Sequence, residues 1–71
     1  MFKEFDVVGL KHATTEIPLP KGTKGTVLMI HPDNPPAYQV EFMDGPKSLG
    51  VFTVREPDLD LLAPFVESLW K

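Results

Sequence analysis

The stretch that decides the fold is residues 19–30, LPKGTKGTVLMI. Its two glycines, Gly22 and Gly25, suit a sharp reversal in which the backbone needs a positive φ or passes close to another segment. The residues that follow, 26–30, are mostly apolar and begin with two β-branched side chains, as is typical of a β-strand. The stretch therefore predicts a tight turn that leads into a strand, and it places the chain among small all-β domains.

The strand predicted over residues 23–31 is apolar on both faces. Simple alternation puts Leu28 and Ile30 on one face and Val27 and Met29 on the other. A strand with one solvated face would instead alternate apolar and polar residues. We therefore expect one face to line the core and the other to be covered by the C-terminal segment or by a partner chain.

Further strands are predicted on both sides of this stretch, over residues 5–10, 38–42, 49–54 and 59–62. The segment 38–42 alternates cleanly, with Tyr38, Val40 and Phe42 predicted to face inward. Residues 56–59 read as one helical or 3-10 turn, and the proline-rich loop 11–20 carries Ile17 and Leu19, which predicts that it folds back over the core. The chain is thus predicted to be mainly β, a small five-stranded barrel.

After residue 62 the spacing of the apolar residues changes. Phe65 and Leu69 are four residues apart, and so are Val66 and Trp70, which is the spacing of neighbours on a helix. So short a helix forms only if its apolar stripe docks. The sequence predicts two parts, a β-barrel over residues 1–62 and a C-terminal amphipathic helical tail over residues 63–71.

Four segments, in this order and spacing, resemble a family of small bacterial SH3-like barrels of unknown function: FDVV (5–8), GTKGTV (22–27), YQVEF (38–42) and PDL (57–59). Some such chains are gene-cassette or mobile-element proteins. The resemblance implies a five-stranded SH3-like barrel and supplies no catalytic residues. The Gly-x-x-Gly-Thr-Val piece is also similar to the loop of nucleic-acid-binding modules of the KOW type. Met29, in place of a polar residue, and the apolar tail depart from the family pattern.

Composition narrows the classes of function. The chain has 71 residues, no cysteine and a formal charge of −3, so we expect one small domain without disulfides or thiolate metal sites. No apolar run approaches the roughly 20 residues of a membrane span, and no secretory signal opens the chain. We predict a soluble cytoplasmic protein, and the acidic balance argues against non-specific nucleic-acid binding.

The sequence shows no pattern typical of an enzyme. His31-x-Asp33 could form an oriented base, but a strand end followed by an Asp-Asn turn explains the same residues. Two histidines in separate segments with scattered acids make no metal signature. We therefore predict no catalytic residues, no metal and no cofactor.

Basic residues around the glycine loop suggest a second kind of site. The candidate ligand loop comprises Lys21, Gly22, Lys24 and Gly25. Lys11 and His12 could join it, with Tyr38 as a stacking face for a base. The alternative is a set of ordinary solvated lysines, with Tyr38 in the core. A nucleic-acid-binding barrel of the KOW type is thus the alternative function.

A protein interface is the leading functional prediction. The candidate interface comprises six apolar residues from the second strand and the tail: Val27, Met29, Phe65, Val66, Leu69 and Trp70. They could cover one another within one chain, or they could meet across a symmetric contact between copies. Because so small a core gains from oligomerisation, we predict a non-enzymatic interaction module that self-associates and forms a homo-oligomer.

Overall fold

The computed structural model describes residues 1–65. Its regular elements are β1 (Val7–Leu10), β2 (Lys24–His31), β3 (Ala37–Asp44), β4 (Lys47–Arg55), a 3-10 turn (Glu56–Asp58) and β5 (Leu59–Ala63). The predicted strands and the predicted 3-10 turn are confirmed. The predicted helical tail falls mostly on residues 66–71, outside the described residues, while Ala63 ends β5.

The five strands of residues 1–65 form one antiparallel sheet in the order β4-β3-β2-β1-β5. Each neighbour in this order is paired in register, for example Val7 with Thr26, Val27 with Val40 and Val40 with Phe52. Over these residues β4 and β5 lie at opposite edges, so the sheet is not closed by pairing between them. The coarse prediction of a mainly β domain with five strands is confirmed.

Two details of the strands differ from the prediction. β1 begins at Val7 and not at Phe5, because Phe5 has a φ of 67° and lies in a turn. In β2 the register shifts between Val27 and Met29, which is a β-bulge. The bulge inserts a residue, so the alternation of faces slips by one position.

The bulge corrects the predicted faces of β2. Val27 is fully buried in the core, and Ile30 packs against the same core. Leu28 and Met29 are both exposed. The prediction that Val27 and Met29 share an outward face, and with it the place of Val27 in the candidate interface, is therefore wrong.

The core is built by residues from every strand of the described chain. Its members are Val8, Leu10, Ile17, Val27, Tyr38, Val40, Phe42, Val54 and Leu59. The predicted inward residues of β3 are all fully buried, and the loop residue Ile17 is buried as predicted. The proline-rich loop thus closes one side of a core that the sheet alone does not cover.

Gly22 and Gly25 have the two roles that the sequence predicts, a positive φ and a close approach of the backbone. Gly22 has a φ of 88° with open space around it. Gly25 is buried, and a Cβ there would lie 2.5 Å from Val40 Cγ1 and 2.9 Å from the carbonyl oxygen of Glu41. The first glycine permits the turn, and the second lets β2 pass close to β3.

Across residues 1–65, no helix has the length and apolar character required to cross a bilayer.

Candidate functional site

Three depressions that share lining residues extend from the outer face of β1 and β2 to the loop and turn at the ends of β2 and β3, and together we call them the trough. The apolar end, about 520 Å³, is lined by Phe5, Val7, Thr26 and Phe65. A smaller middle part, about 160 Å³, shares Val7 and Thr26 with it and adds Lys24, Gly25 and Met43. The third part, about 570 Å³, shares Lys24 and Met43 and reaches the loop at Gly22 and the turn at Gly45. The middle part therefore shares two lining residues with each of the other two.

The floor of the trough follows from strand alternation. Val7 pairs with Thr26 across β1 and β2, and the next residue of each strand, Val8 and Val27, is buried in the core. Because successive side chains of a strand point to opposite faces, Val7 and Thr26 lie on the outer face. The core and the apolar end of the trough therefore lie on opposite sides of β1 and β2.

Phe5 forms one wall of the apolar end. Its amide N–H donates to the carbonyl oxygen of Val27 at 2.7 Å, which places Phe5 beside β2. Its ring contacts that of Phe65 in an edge-to-face arrangement, with centroids 5.4 Å apart. Phe5 is nevertheless 49% exposed, so an aromatic side chain lines the trough and still faces solvent.

A buried carboxylate connects two segments of the chain at this end of the trough through hydrogen bonds. Asp6 is 4% exposed. Its Oδ2 accepts a hydrogen bond from the amide of Lys3 at 2.8 Å, and its Oδ1 accepts one from the amide of Phe65 at 2.9 Å. Hydrogen bonds to charged acceptors are stronger than neutral ones. Asp6 thus holds the N-terminal turn and the segment after β5 together.

The glycine-loop end brings together only part of the candidate ligand loop. Gly22 and Lys24 line it, Gly25 lies in the middle part, and Lys21 is exposed outside the lining. The N–H of Gly22 donates to the carbonyl of Leu10, and the N–H of Thr23 donates to that of Pro20. These two backbone donors are therefore engaged within the chain, which disfavours a phosphate cradle on them.

The predicted cluster of cations is interleaved with acids. The amine of Lys11 lies 3.5 Å from the carboxylate of Asp60, and His12 Nε2 lies 2.7 Å from that of Asp58. Asp44 lines the same end of the trough as Lys24. A surface of mixed sign has little attraction for a polyanion.

The other predicted site residues are placed as follows. Met29 is 51% exposed on the outer face, where it pairs with Gln39 of β3. Phe65 lies at the apolar end of the trough, whereas Val66, Leu69 and Trp70 lie outside the described residues. Sequence reasoning missed Phe5, Val7 and Met43, because it placed the first two within a core strand and assigned Met43 no role.

His31 and Asp33, the candidate pair for an oriented base, contact each other through the backbone. The N–H of Asp33 donates to the carbonyl of His31 at 2.8 Å, as in a turn. Among residues 1–65, no three His, Asp or Glu side chains are grouped closely enough to hold a metal ion. The trough itself contains Lys24 and Asp44 as its charged side chains.

Tyr38 has a fully buried side chain, so it offers no stacking face. Its hydroxyl donates to Glu56 Oε1 at 2.5 Å and accepts from the amide of Phe2 at 3.0 Å. Burial, followed by the hydrogen bond to the Glu56 carboxylate, raises the pKa of Tyr38 to about 12. Both causes disfavour the phenolate.

We expect this tyrosine to make stability depend on alkaline pH. Because its pKa is raised in the folded state, its contribution is complete below about pH 10, the ordinary value for tyrosine, and is lost as the pH rises towards 12. The loss should be on the order of 2 kcal/mol. Denaturant unfolding between these pH values measures it, and Tyr38→Phe should lack this component. Since the chain has one tyrosine, tyrosinate absorbance reports the same pKa directly; a midpoint near 10 in the folded protein would contradict the prediction.

A comparison with protein families completes the description of the site. The family model described as "Domain of unknown function (DUF4926)" matches residues 4–59. This range includes Phe5, Asp6 and the glycine loop, and it ends before Phe65. No curated protein and no solved structure matches the chain.

Proposed function

Because the chain belongs to the DUF4926 family, whose function is unknown, we propose its function from the geometry: a non-enzymatic interaction module that self-associates through the apolar end of the trough. The proposed contact surface comprises Phe5 and Phe65, which line this end, together with Leu28 and Met29 of β2. All four are exposed. Leu28 directly follows Val27, whose carbonyl oxygen accepts the hydrogen bond from the amide of Phe5.

The observation that carries this proposal is the conformation of Phe5. A bulky residue with positive φ is an outlier that costs on the order of 1 kcal/mol or more. Burial of the ring does not compensate this cost, since half of its surface remains exposed. Departures of this kind from local preference are concentrated at functional sites. The strained backbone holds an aromatic side chain where a partner can contact it.

The chemistry of this surface fits a protein partner. Aromatic and methionine side chains are enriched at protein interfaces, and a few buried aromatics supply most of the binding energy. A 71-residue chain has a thin core, so association with a second copy would also stabilise the fold. A symmetric dimer that reuses one patch on both copies is the commonest arrangement.

Phe5→Gly is the sharpest test of the proposal. Glycine adopts a φ of 67° without strain, so the loss of the ring contact with Phe65 should be offset and the stability of the monomer should change by less than about 1 kcal/mol. Self-association should weaken by about tenfold or more, because an interface anchor is lost. Sedimentation equilibrium over a concentration series measures the dimer constant, and thermal unfolding measures the stability.

Val51→Thr is the matched control. Val51 is 51% exposed, a fraction similar to the 49% of Phe5, but it lies on β4 and does not line the trough. This variant should self-associate like the parent chain. A parent chain that remains monomeric at every concentration would refute self-association, and an unchanged dimer constant in Phe5→Gly would refute this surface.

The proposal includes the finer fold assignment, an SH3-like barrel. It is supported by the contribution of every described strand to one core cluster and by the register shifts in the pairings of β1 with β5, β2 with β3, and β3 with β4. Bulges increase local twist and bend a sheet around its core. Nuclear Overhauser contacts between β4 and β5 would establish closure.

A further inference from the structure

Residues 2–6, which we call the N-terminal strap, are attached to the sheet at two places. At one end, the amide of Phe2 donates a hydrogen bond to the hydroxyl of Tyr38 at 3.0 Å, and the two rings pack edge to face with centroids 5.2 Å apart. At the other end, the amide of Phe5 donates to the carbonyl of Val27, whose own amide donates back to the next residue of the strap at 3.0 Å. Phe5 therefore lies at the second attachment and three residues from the first.

The backbone around position 5 has a geometry that glycine usually adopts. The amide of Asp6 donates to the carbonyl of Lys3 at 3.1 Å, which closes a four-residue turn with Phe5 in third place. A positive φ at that place favours glycine. Phe5 and Asp6 also both bond to Val27, as the two residues of a β-bulge do, and a left-handed first residue of a bulge is usually glycine as well. Since the chain has phenylalanine there, contacts outside the turn have to hold this backbone.

The hydroxyl that receives the Phe2 amide is itself fixed by a carboxylate. The Tyr38 hydroxyl donates to Glu56 Oε1 at 2.5 Å, so its one proton is engaged and a lone pair is left to accept from the Phe2 amide. Glu56 begins the 3-10 turn, and its amide donates to the carbonyl of Pro36 at 3.0 Å. Because the side chain of Tyr38 is fully buried, the first attachment of the strap is held in place by the core.

We propose that Tyr38 and Glu56 are positioning residues for the proposed contact surface: through the Phe2 amide they hold the strap in the conformation that presents the ring of Phe5. This rests on the proposed function, because the surface is the one through which we propose that two copies associate. Neither residue lines the trough, so both act on the surface through the strap.

The direction of the effect follows from the two attachments. Strained backbone conformations persist only where the surrounding structure over-determines them. Without the hydroxyl, the Phe2 amide loses its acceptor at a partly buried position, and the strap before Phe5 is held only by the turn that Asp6 closes. We expect Phe5 then to relax towards a negative φ, which redirects its Cα–Cβ bond and removes its ring from Phe65.

Tyr38→Phe tests the positioning role, because it removes the hydroxyl and keeps the ring that packs on Phe2. A residue with positive φ has its amide proton close to its own Hα, so Phe5 should show a strong nuclear Overhauser effect between these protons. In Tyr38→Phe this effect should weaken by about twofold or more as φ becomes negative. The dimer constant should weaken by about fivefold, the effect of roughly one lost hydrogen bond.

Two substitutions of Glu56 separate its acceptor oxygen from its charge. Glu56→Gln should resemble the parent chain in both measurements, because the amide oxygen of glutamine still accepts from the Tyr38 hydroxyl. Glu56→Ala removes the acceptor at a partly exposed position and should shift both measurements in the direction of Tyr38→Phe. It also repeats the test outside the core, where a substitution is tolerated by the fold.

Ile17→Val is the matched control for a loss of stability. It shortens another buried side chain, in the proline-rich loop, and removes no hydrogen bond. It should lower the temperature of unfolding and leave the Phe5 signal at the strength of the parent chain. A Phe5 signal that is unchanged in Tyr38→Phe would overturn the inference. An equal loss in Tyr38→Phe and Ile17→Val would overturn it too, since Phe5 would then respond to stability in general.

The proposed function and the positioning role can fail separately. The Phe5 signal is measured at concentrations at which sedimentation shows only monomers, so it tests the strap even if the parent chain never dimerises. A parent chain that remains monomeric would refute self-association alone. If the chain dimerises and Tyr38→Phe displaces Phe5 while the dimer constant is unchanged, the positioning role for this surface would be refuted.

Discussion

Gly25→Ala is expected to destabilise the domain by about 3 kcal/mol or more, as overpacking at a buried backbone contact does. The new Cβ would lie 2.5 Å from Val40 Cγ1, 2.9 Å from the Glu41 carbonyl oxygen and 3.0 Å from Phe42 Cδ1. One of these atoms is backbone and the other two belong to fully buried side chains, so none can move at little cost. The total free energy of unfolding of a 71-residue domain is roughly 4–10 kcal/mol, so the variant should be close to unfolding. Urea unfolding monitored by circular dichroism measures the change.

Gly22→Ala is the matched control for this prediction. The substitution is the same and lies three residues away, but there is no atom within 4 Å of the added Cβ. Only the positive φ of 88° opposes it, at a cost of about 1–2 kcal/mol. If the two variants were equally stable, β2 and β3 would not be packed as closely as described.

Asp6→Ala is expected to lower the free energy of unfolding by about 2–3 kcal/mol, because it removes two hydrogen bonds accepted by a buried carboxylate. The amides of Lys3 and Phe65 would lose their acceptors. The loss should be local as well as global: hydrogen exchange at these two amides should accelerate more than exchange in β3. Chemical denaturation measures the global effect, and exchange monitored by NMR measures the local one.

Asp44→Ala provides the comparison for Asp6→Ala. Asp44 is an exposed acid at the end of β3, and a substitution there should change the free energy of unfolding by no more than about 0.5 kcal/mol. Asp6→Asn should be intermediate, because its amide retains one acceptor oxygen but not two. If Asp6→Ala behaved like Asp44→Ala, the carboxylate would not hold the two segments together.

Local chemistry explains why the strands and turns were predictable. Tyr38, Val40 and Phe42 alternate with polar residues, and this period specifies which face is buried whatever the rest of the chain does. Pro57, between the acidic residues Glu56 and Asp58, indicated the 3-10 turn that the structure contains. Gly22 and Gly25 indicated a reversal and a close approach. The candidate site was predictable only at Gly22, Lys24, Gly25 and Phe65, the trough residues that the sequence had singled out.

The amino-acid sequence by itself determined the five strands, the inward side of β3 and the loop that covers the core, because each depends on residues close together in the chain. Only the tertiary structure decided that Val27 is buried while Met29 is exposed, since a bulge arises from the fit between two strands. The same holds for Phe5. Its positive φ goes with the hydrogen bond from its amide to the carbonyl of Val27 and with the N-terminal turn that the Asp6 carboxylate stabilises. The apolar end of the trough exists because Phe5, Val7, Thr26 and Phe65, which come from three separate parts of the chain, line one depression.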